Sequence, residues 1–469
     1  MLFSSLEFLF LFLAAVIVLY YALPGKWRNT VLLAVSLVFY GWGEPRYIFL
    51  MIFTIAVDYT AGLLVSAFLS RGKKKKAKAA LVIAVSVNLA LLGFFKYADF
   101  VLYNMSHLPG LSFLSPLGIA LPIGISFYTF QCLSYVIDVY RGDAGVQKNP
   151  VTFGTYVTLF PQLIAGPIVR YRDIDAELRE RTCSVPLFAE GVRTFTAGLS
   201  KKVLLSNPAA EMWKYYSTMP SDERSALGAW LGLVFFCFHI YFDFSGYSDM
   251  AIGLGKMFGF HLPENFNYPY VSKSITEFWR RWHISLSSWF REYLYIPLGG
   301  NRCAAPRRIF NLFVVWFLTG LWHGANWNFI IWGLYFFVLL VLEKYVYGKL
   351  LEKAPKALRH AYALFFIAVG FLIFACDDLS AGAEYLSSML GKSGAFAFGI
   401  DGYELLRNFP LVFVMCIGAT PLPRRFFSAQ YEKSSFFRGA SVIICLAALI
   451  LCTAFLVDSS YNPFLYFRF

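Results

Sequence analysis

The feature that most constrains this chain is the recurrence of apolar runs from one end to the other, interrupted by short polar loops. Such runs cover about residues 5–23, 29–41, 47–69, 79–95 and 117–137, with breaks at Pro24 and between Gly41 and Pro45. Backbone in a hydrocarbon environment must satisfy its own hydrogen bonds, so runs of this kind predict α-helices that cross or enter a membrane. Composition agrees: 58% of the 469 residues are hydrophobic and only 15% are charged, too few to cover a water-soluble protein of this length. The terminal "YFRF" resembles the aromatic ending of a β-barrel strand, but barrel strands alternate in polarity and the continuous upstream runs do not. The expected fold is therefore an all-α, multi-pass integral membrane protein, a single embedded domain over residues 1–469 with about 10–12 membrane segments, some re-entrant.

The basic loop "RGKKKKAK", residues 71–78, carries six cations and no acid, which predicts a cytoplasmic position against anionic membrane lipid. Alternation places the "GKWR" loop, with Lys26 and Arg28, on the same side and the N-terminus outside. Nucleic-acid binding is the rival reading of this run and of the +13 net charge, but one short loop between two spans argues against it and an anchor on anionic lipid is enough. The first apolar run lacks a basic leader and a small-residue cleavage site, so it reads as a retained span. Six of the eight cysteines lie in apolar segments without a CxxC pair, and are expected to be small buried hydrophobes.

Further along, "TYVTLFPQLIAGPIV" is apolar but interrupted by Pro161, Gly166 and Pro167. Broken backbone of this sort is tolerated at membrane depth only inside protein or along a cavity. Residues 188–205 and 226–257 supply more helix, and further spans fall near 359–376, 408–420 and 438–458. The 311–342 stretch exceeds the roughly 20 residues one span needs, so it is expected to form two helices hinged at "GLWHGAN".

Polar side chains within such a fabric cost a few kcal/mol unless they face a partner or a cavity, and they mark where function is to be sought. His323 stands at the 311–342 corner between Gly320 and Gly324, with Asn326 beyond; the glycines predict an opening there rather than a sealed helix. Over residues 275–300, Trp279, Trp282, His283, Leu286, Phe290 and Tyr293 fall at helical spacing on one face, with Arg280, Arg281 and Arg291 elsewhere. That spacing predicts an amphipathic interfacial helix ended by Pro297, Gly299 and Gly300, with His283 on the buried stripe. In "CFHIYFDFSGYSDMAIG", His239 and Asp243 share a helix face, and Ser245 and Asp249 follow. No third metal ligand accompanies them, so a hydrogen-bonded cluster between helices is expected rather than a metal site.

Three of these stretches, "YFDFSGYSDMAIG", "FWRRWHISLSSWFREYLYIPLGGNR" and "WFLTGLWHGANWNFIIWGLYF", together with "VSLVFYGWGEPRY" near the start, resemble the membrane-bound O-acyltransferase family. The resemblance spans essentially the whole chain and is greatest to the bacterial branch that acetylates alginate and peptidoglycan. It implies a ring of helices round a central funnel, with His323 as the catalytic histidine and His283 as the second motif histidine. It also implies transfer of an acyl group, acetyl foremost, from a cytoplasmic thioester to an extracytoplasmic hydroxyl of a cell-surface or secreted polysaccharide. The donor would be acetyl-CoA or an acyl carrier protein thioester, with no bound cofactor.

An imidazole with an unperturbed pKa of about 6.5 is largely neutral near pH 7 and able to take the proton of that hydroxyl. His283 would position the acyl group or steady the developing oxyanion, and Asn326 is a further candidate donor by proximity. The aromatic tail, residues 459–469, contains Tyr466. This tyrosine is either an interfacial anchor or, by resemblance to the partner peptide of the related D-alanyl-teichoic-acid system, an acyl relay. A secreted serine-hydrolase-like partner of SGNH type would then carry the group to the polymer, across a bacterial cytoplasmic membrane. D-alanyl or another acyl group is the alternative within the enzyme class. Outside it stand a proton-coupled transporter, for which no matching broken halves are found, and a non-catalytic polymer-export subunit.

Overall fold

A computed structural model of the protein describes residues 1–392 and 394–458. Among the described residues the regular structure is entirely helical. Among the described residues, six helices are long and apolar enough to cross a membrane alone: Ile48–Ser70, Lys74–Ser106, Ala226–Met257, Trp327–Lys353, Lys356–Ala375 and Ser435–Asp458. A seventh span would be the pair Gly399–Gly418 and Leu422–Lys433, bent by 65°. Other apolar segments of the sequence form shorter or broken helices, such as Glu7–Ala22 and Ala305–His323. The chain divides into two compact units, one of Met1–Phe195 with Tyr247–Pro263, the other of Thr196–Gly246 with the chain from Glu264 onward.

In the first unit, helices Ile48–Ser70 and Lys74–Ser106 pair through a buried bond from the Asn88 amide to the Asp58 carboxylate, at 2.9 and 3.0 Å. Helix Ile125–Arg141 packs against both, and Gly62 permits it: a methyl there would lie 2.6 Å from the Tyr135 ring. The proline- and glycine-broken stretch is buried, as the sequence predicts. Helix Pro150–Thr158 gives way to a four-residue turn, Phe160–Leu163, and then to irregular chain. Its loose polar groups find partners both nearby and far along the chain. The Gln162 amide donates to the Tyr156 carbonyl at 2.6 Å, the Ser36 hydroxyl accepts from the Phe160 amide at 3.1 Å, and Tyr156 Oη donates to the Val169 carbonyl at 3.0 Å. A buried polar group left unmatched would cost about 1–3 kcal/mol, so these contacts are what allow the break.

The second unit carries both motif histidines. The expected hinge in 311–342 is present, as helix Ala305–His323 followed by helix Trp327–Leu342. The 275–300 region differs from expectation. It is not one amphipathic helix but helix Ile275–Arg281, a sharp turn at Trp282 and His283, helix Ile284–Phe290, and a π-helical turn Arg291–Tyr295. The predicted stripe is nevertheless buried at Trp282, His283, Leu286, Phe290 and Tyr293. A hydrophobic pattern reports which side chains face inward; the break is made by hydrogen bonds from elsewhere in the chain. The cysteines also divide: Cys132 and Cys452 are buried, but Cys416 is exposed on an apolar helix.

The polar cluster of helix Ala226–Met257 ties that helix to the π-helical turn Lys201–Ser206. His239 Nδ1 lies 2.9 Å from Ser206 Oγ, and the Lys202 ammonium meets the Asp243 carboxylate at 2.6 Å. Both ends of the ion pair are almost wholly buried, so each depends on the other for charge compensation. Asp243→Ala should lower stability by about 3–5 kcal/mol by stranding the Lys202 cation. The double variant Lys202→Met/Asp243→Leu, which removes both charges, should melt closer to wild type, as thermal unfolding in detergent would show.

Candidate functional site

His283 and His323 line the same cavity of about 230 Å³, entirely within the second unit. Its wall also includes Trp279, Arg280, Trp316 and Thr319. His323 is the last residue of helix Ala305–His323 and is 7% exposed. Its ring is enclosed by aromatic neighbours, with centroids 5.0 Å from Trp322, 5.0 Å from Trp332 and 5.3 Å from Phe374. The latter two stand edge-on, at 81° and 84°, which fixes the imidazole plane.

The glycines beside His323 act by size rather than by loosening the chain. A methyl on Gly320 would fall 2.3 Å from the Phe329 carbonyl oxygen, and one on Gly333 would fall 2.4 Å from that of Trp316. The two helices of the hairpin thus meet backbone to backbone, the close crossing that small residues allow in membrane helices. Gly324 has extended backbone (φ −171°), open to any residue, but a methyl there would sit 2.2 Å from the Phe329 ring. The expected opening is therefore a tightly packed corner with a cavity beside it. Asn326 caps the second helix of the hairpin, accepting from the Trp327 amide at 2.7 Å, and its own amide donates to the Asp377 carbonyl at 3.0 Å.

His283 sits in left-handed backbone (φ 45°, ψ 55°), rare for a residue with a side chain and held only where surroundings enforce it. Asn265 does the enforcing. Its backbone carbonyl accepts from the Ile284 amide at 3.0 Å. Its side-chain oxygen accepts from the Ser285 amide at 3.2 Å and the Ser285 hydroxyl at 2.9 Å, and lies 3.1 Å from His283 Nδ1. The Phe244 ring closes on the imidazole edge-on, with centroids 4.7 Å apart. His283 is 2% exposed and lies outside the membrane-spanning helices. Burial pushes its pKa down, which keeps the ring neutral.

Upstream, Glu343 accepts from the Ile275 and Thr276 amides at 2.8 and 3.0 Å, so a buried carboxylate anchors the N-terminus of the helix that leads to His283. Neither Asn265 nor Glu343 stands out in the sequence. Asn265 lies in the polar stretch "PENFNYP", and Glu343 immediately follows an apolar run that reads as ending at residue 342.

Of the other residues singled out in the sequence, Asp243 and Ser245 are buried but are not among those lining the cavity. Asp249 belongs to the first unit, and Tyr466 lies outside the described residues.

Two imidazoles thus share the wall of one small cavity, beside the aromatic side chains Trp279, Trp282, Phe290 and Trp316. Residues 145–380 match the model of MBOAT, the membrane-bound O-acyltransferase family, a range that contains both histidines. The chain is 43% identical to "Probable alginate O-acetylase AlgI" of Azotobacter vinelandii, over 85% of this chain and 79% of that protein. Its namesake in Pseudomonas aeruginosa is 41% identical over 85% and 75%. "Peptidoglycan O-acetyltransferase" of Helicobacter pylori is 31% identical over 100% and 98%. The chain belongs to the membrane-bound O-acyltransferase family and is an integral membrane O-acyltransferase.

The backbone contact within the hairpin makes a sharp prediction. Gly320→Ala should destabilise by about 1–3 kcal/mol through overpacking and should reduce activity by displacing His323. Gly93→Ala, in a membrane-spanning helix with nothing within 4 Å of the added methyl, should leave both unchanged. Melting temperature and acyl transfer, measured side by side, check both.

Proposed function

We propose that this enzyme moves an acetyl group from a cytoplasmic thioester, acetyl-CoA or an acyl carrier protein conjugate, toward a hydroxyl on the outer side of the bacterial cytoplasmic membrane. The modified product is a cell-surface or secreted polysaccharide. The observation that carries the reading is the pair of buried side chains His283 and His323 on the wall of one cavity. Relatives whose names specify alginate and peptidoglycan O-acetylation support the acetyl group and the polymeric acceptor. The basic loop at residues 71–78, read as cytoplasmic, supports an outside N-terminus.

His323 acts as general base. As the acceptor oxygen attacks the thioester carbonyl carbon, its proton passes to the imidazole. The tetrahedral intermediate then collapses with cleavage of the carbon–sulfur bond, and His323 returns the proton to the departing thiolate. The aromatic rings around His323, which leave it 7% exposed, limit the water that reaches its imidazole, and so favour attack by the acceptor over hydrolysis of the thioester. Tyr466, in the aromatic tail, is proposed as the first acceptor, its oxygen carrying the acetyl group as an aryl ester to a secreted SGNH-type partner. The aromatic sequence around it supports this step.

The test is O-acetyl content of the extracellular polysaccharide, by mass spectrometry, in a deletion strain complemented with wild type, His323→Ala or Tyr466→Phe, with membrane protein level checked for each. His323→Ala should be present in the membrane with acetylation reduced by about 10²–10⁴-fold, the usual value of general-base help. Persistent acetylation would refute the assignment. Tyr466→Phe removes only a hydroxyl; loss of acetylation supports the relay, and full activity makes the tail an anchor.

A further inference from the structure

Two roles suit His283 in this reaction, steadying the oxyanion or positioning a bound substrate, and the hydrogen bonds around Asn265 separate them. A backbone amide only donates, so the Asn265 side-chain atom 3.2 Å from the Ser285 amide is its oxygen and not its nitrogen. The same oxygen lies 3.1 Å from His283 Nδ1, and two acceptors do not bond each other, so Nδ1 carries the proton. In a neutral imidazole the other nitrogen, Nε2, then presents a lone pair.

Resting on the acyl-transfer reading above, we propose that Asn265 is a positioning residue that locks His283 in the Nδ1–H tautomer. Nε2 then accepts a hydrogen bond from an N–H or O–H group of bound substrate and does not donate to the oxyanion.

Three features hold this arrangement. The left-handed backbone of His283 starts helix Ile284–Phe290, and Asn265 receives both the Ile284 and the Ser285 amides at its first turn. The Ser285 hydroxyl donates to the same oxygen, which orients it towards the imidazole. Phe244, edge-on at 86°, limits rotation of the ring. One asparagine, through its backbone carbonyl and its side-chain oxygen, thereby sets the backbone turn and the tautomer together. Among the described residues, the other titratable or charged side chains on the wall of this cavity are His323 and Arg280.

The experiment uses the full-length protein labelled with ¹⁵N-histidine, with the His283 resonances assigned by their loss in His283→Gln. Nitrogen chemical shifts distinguish a protonated from an unprotonated ring nitrogen. Wild type should show His283 protonated at Nδ1 and unprotonated at Nε2. Asn265→Leu should lose that preference, and polysaccharide O-acetylation per membrane-inserted protein should fall by about 10–100-fold, as when the partner that orients a functional histidine is removed. Asn265→Asp, whose carboxylate accepts from the same three donors, should keep the tautomer and restore most of the activity. A protonated Nε2 in wild type would overturn the proposal, as would an Asn265→Leu protein with wild-type tautomer and activity. Should Asn265→Leu fail to insert, the wild-type tautomer and the Asn265→Asp rescue still decide. If the Asn265 variants behave as wild type while His323→Ala is inactive, this proposal falls and the acyl-transfer reading stands. If His323→Ala is itself active, the acyl-transfer reading falls and takes this assignment with it.

Discussion

A polar group enclosed among apolar side chains and membrane must find its partner inside the protein, and the form of this chain follows from how that demand is met. Where helices run unbroken, the backbone satisfies itself. Where the helix stops, a named residue takes over. Asn265 receives the Ile284 amide at its backbone carbonyl and the Ser285 amide at its side chain, Glu343 the amides at the start of helix Ile275–Arg281, and Gln162 and Ser36 complete the broken stretch of the first unit. Except for Gln162, six residues from the carbonyl it meets, each partner comes from a distant part of the chain.

The two histidines reach one cavity by different means. His323 ends a helix whose position is set by close contact between glycine backbones, so sterics place it. His283 occupies a left-handed turn set by hydrogen bonds to one asparagine. Close packing of this kind tolerates little displacement, and a buried hydrogen-bond set tolerates little chemical change. Both methods suit the proposed role, in which a base is held at a fixed distance from a reacting oxygen.

The buried Lys202–Asp243 pair and the Asn88–Asp58 pair belong to a second category, polar contacts that join helices away from the cavity. The sequence marks Asp243 as conspicuous because charge inside an apolar run is costly. Cost alone does not separate a site from a strut. His239 and Asp243 share a helix face, as their spacing of four implies, and both are engaged by the Lys201–Ser206 turn.

Composition and apolar run length by themselves determined the all-helical membrane class, and the excess length of 311–342 determined its division at His323, because both depend only on how much chain is needed to cross hydrocarbon. The motif stretches likewise identified both histidines and the family. Tertiary structure alone decided that the 275–300 region breaks at His283, that the glycines at the corner pack rather than open, and that Asn265 and Glu343 support the site. The glycine packing joins residues 5 to 17 positions apart across the hairpin, and the supports of His283 join residues 18 to 68 positions apart, Asn265 with His283 and Glu343 with Ile275. Local periodicity records which face of a helix is apolar; it carries no record of which distant side chain will meet the ends where that helix stops.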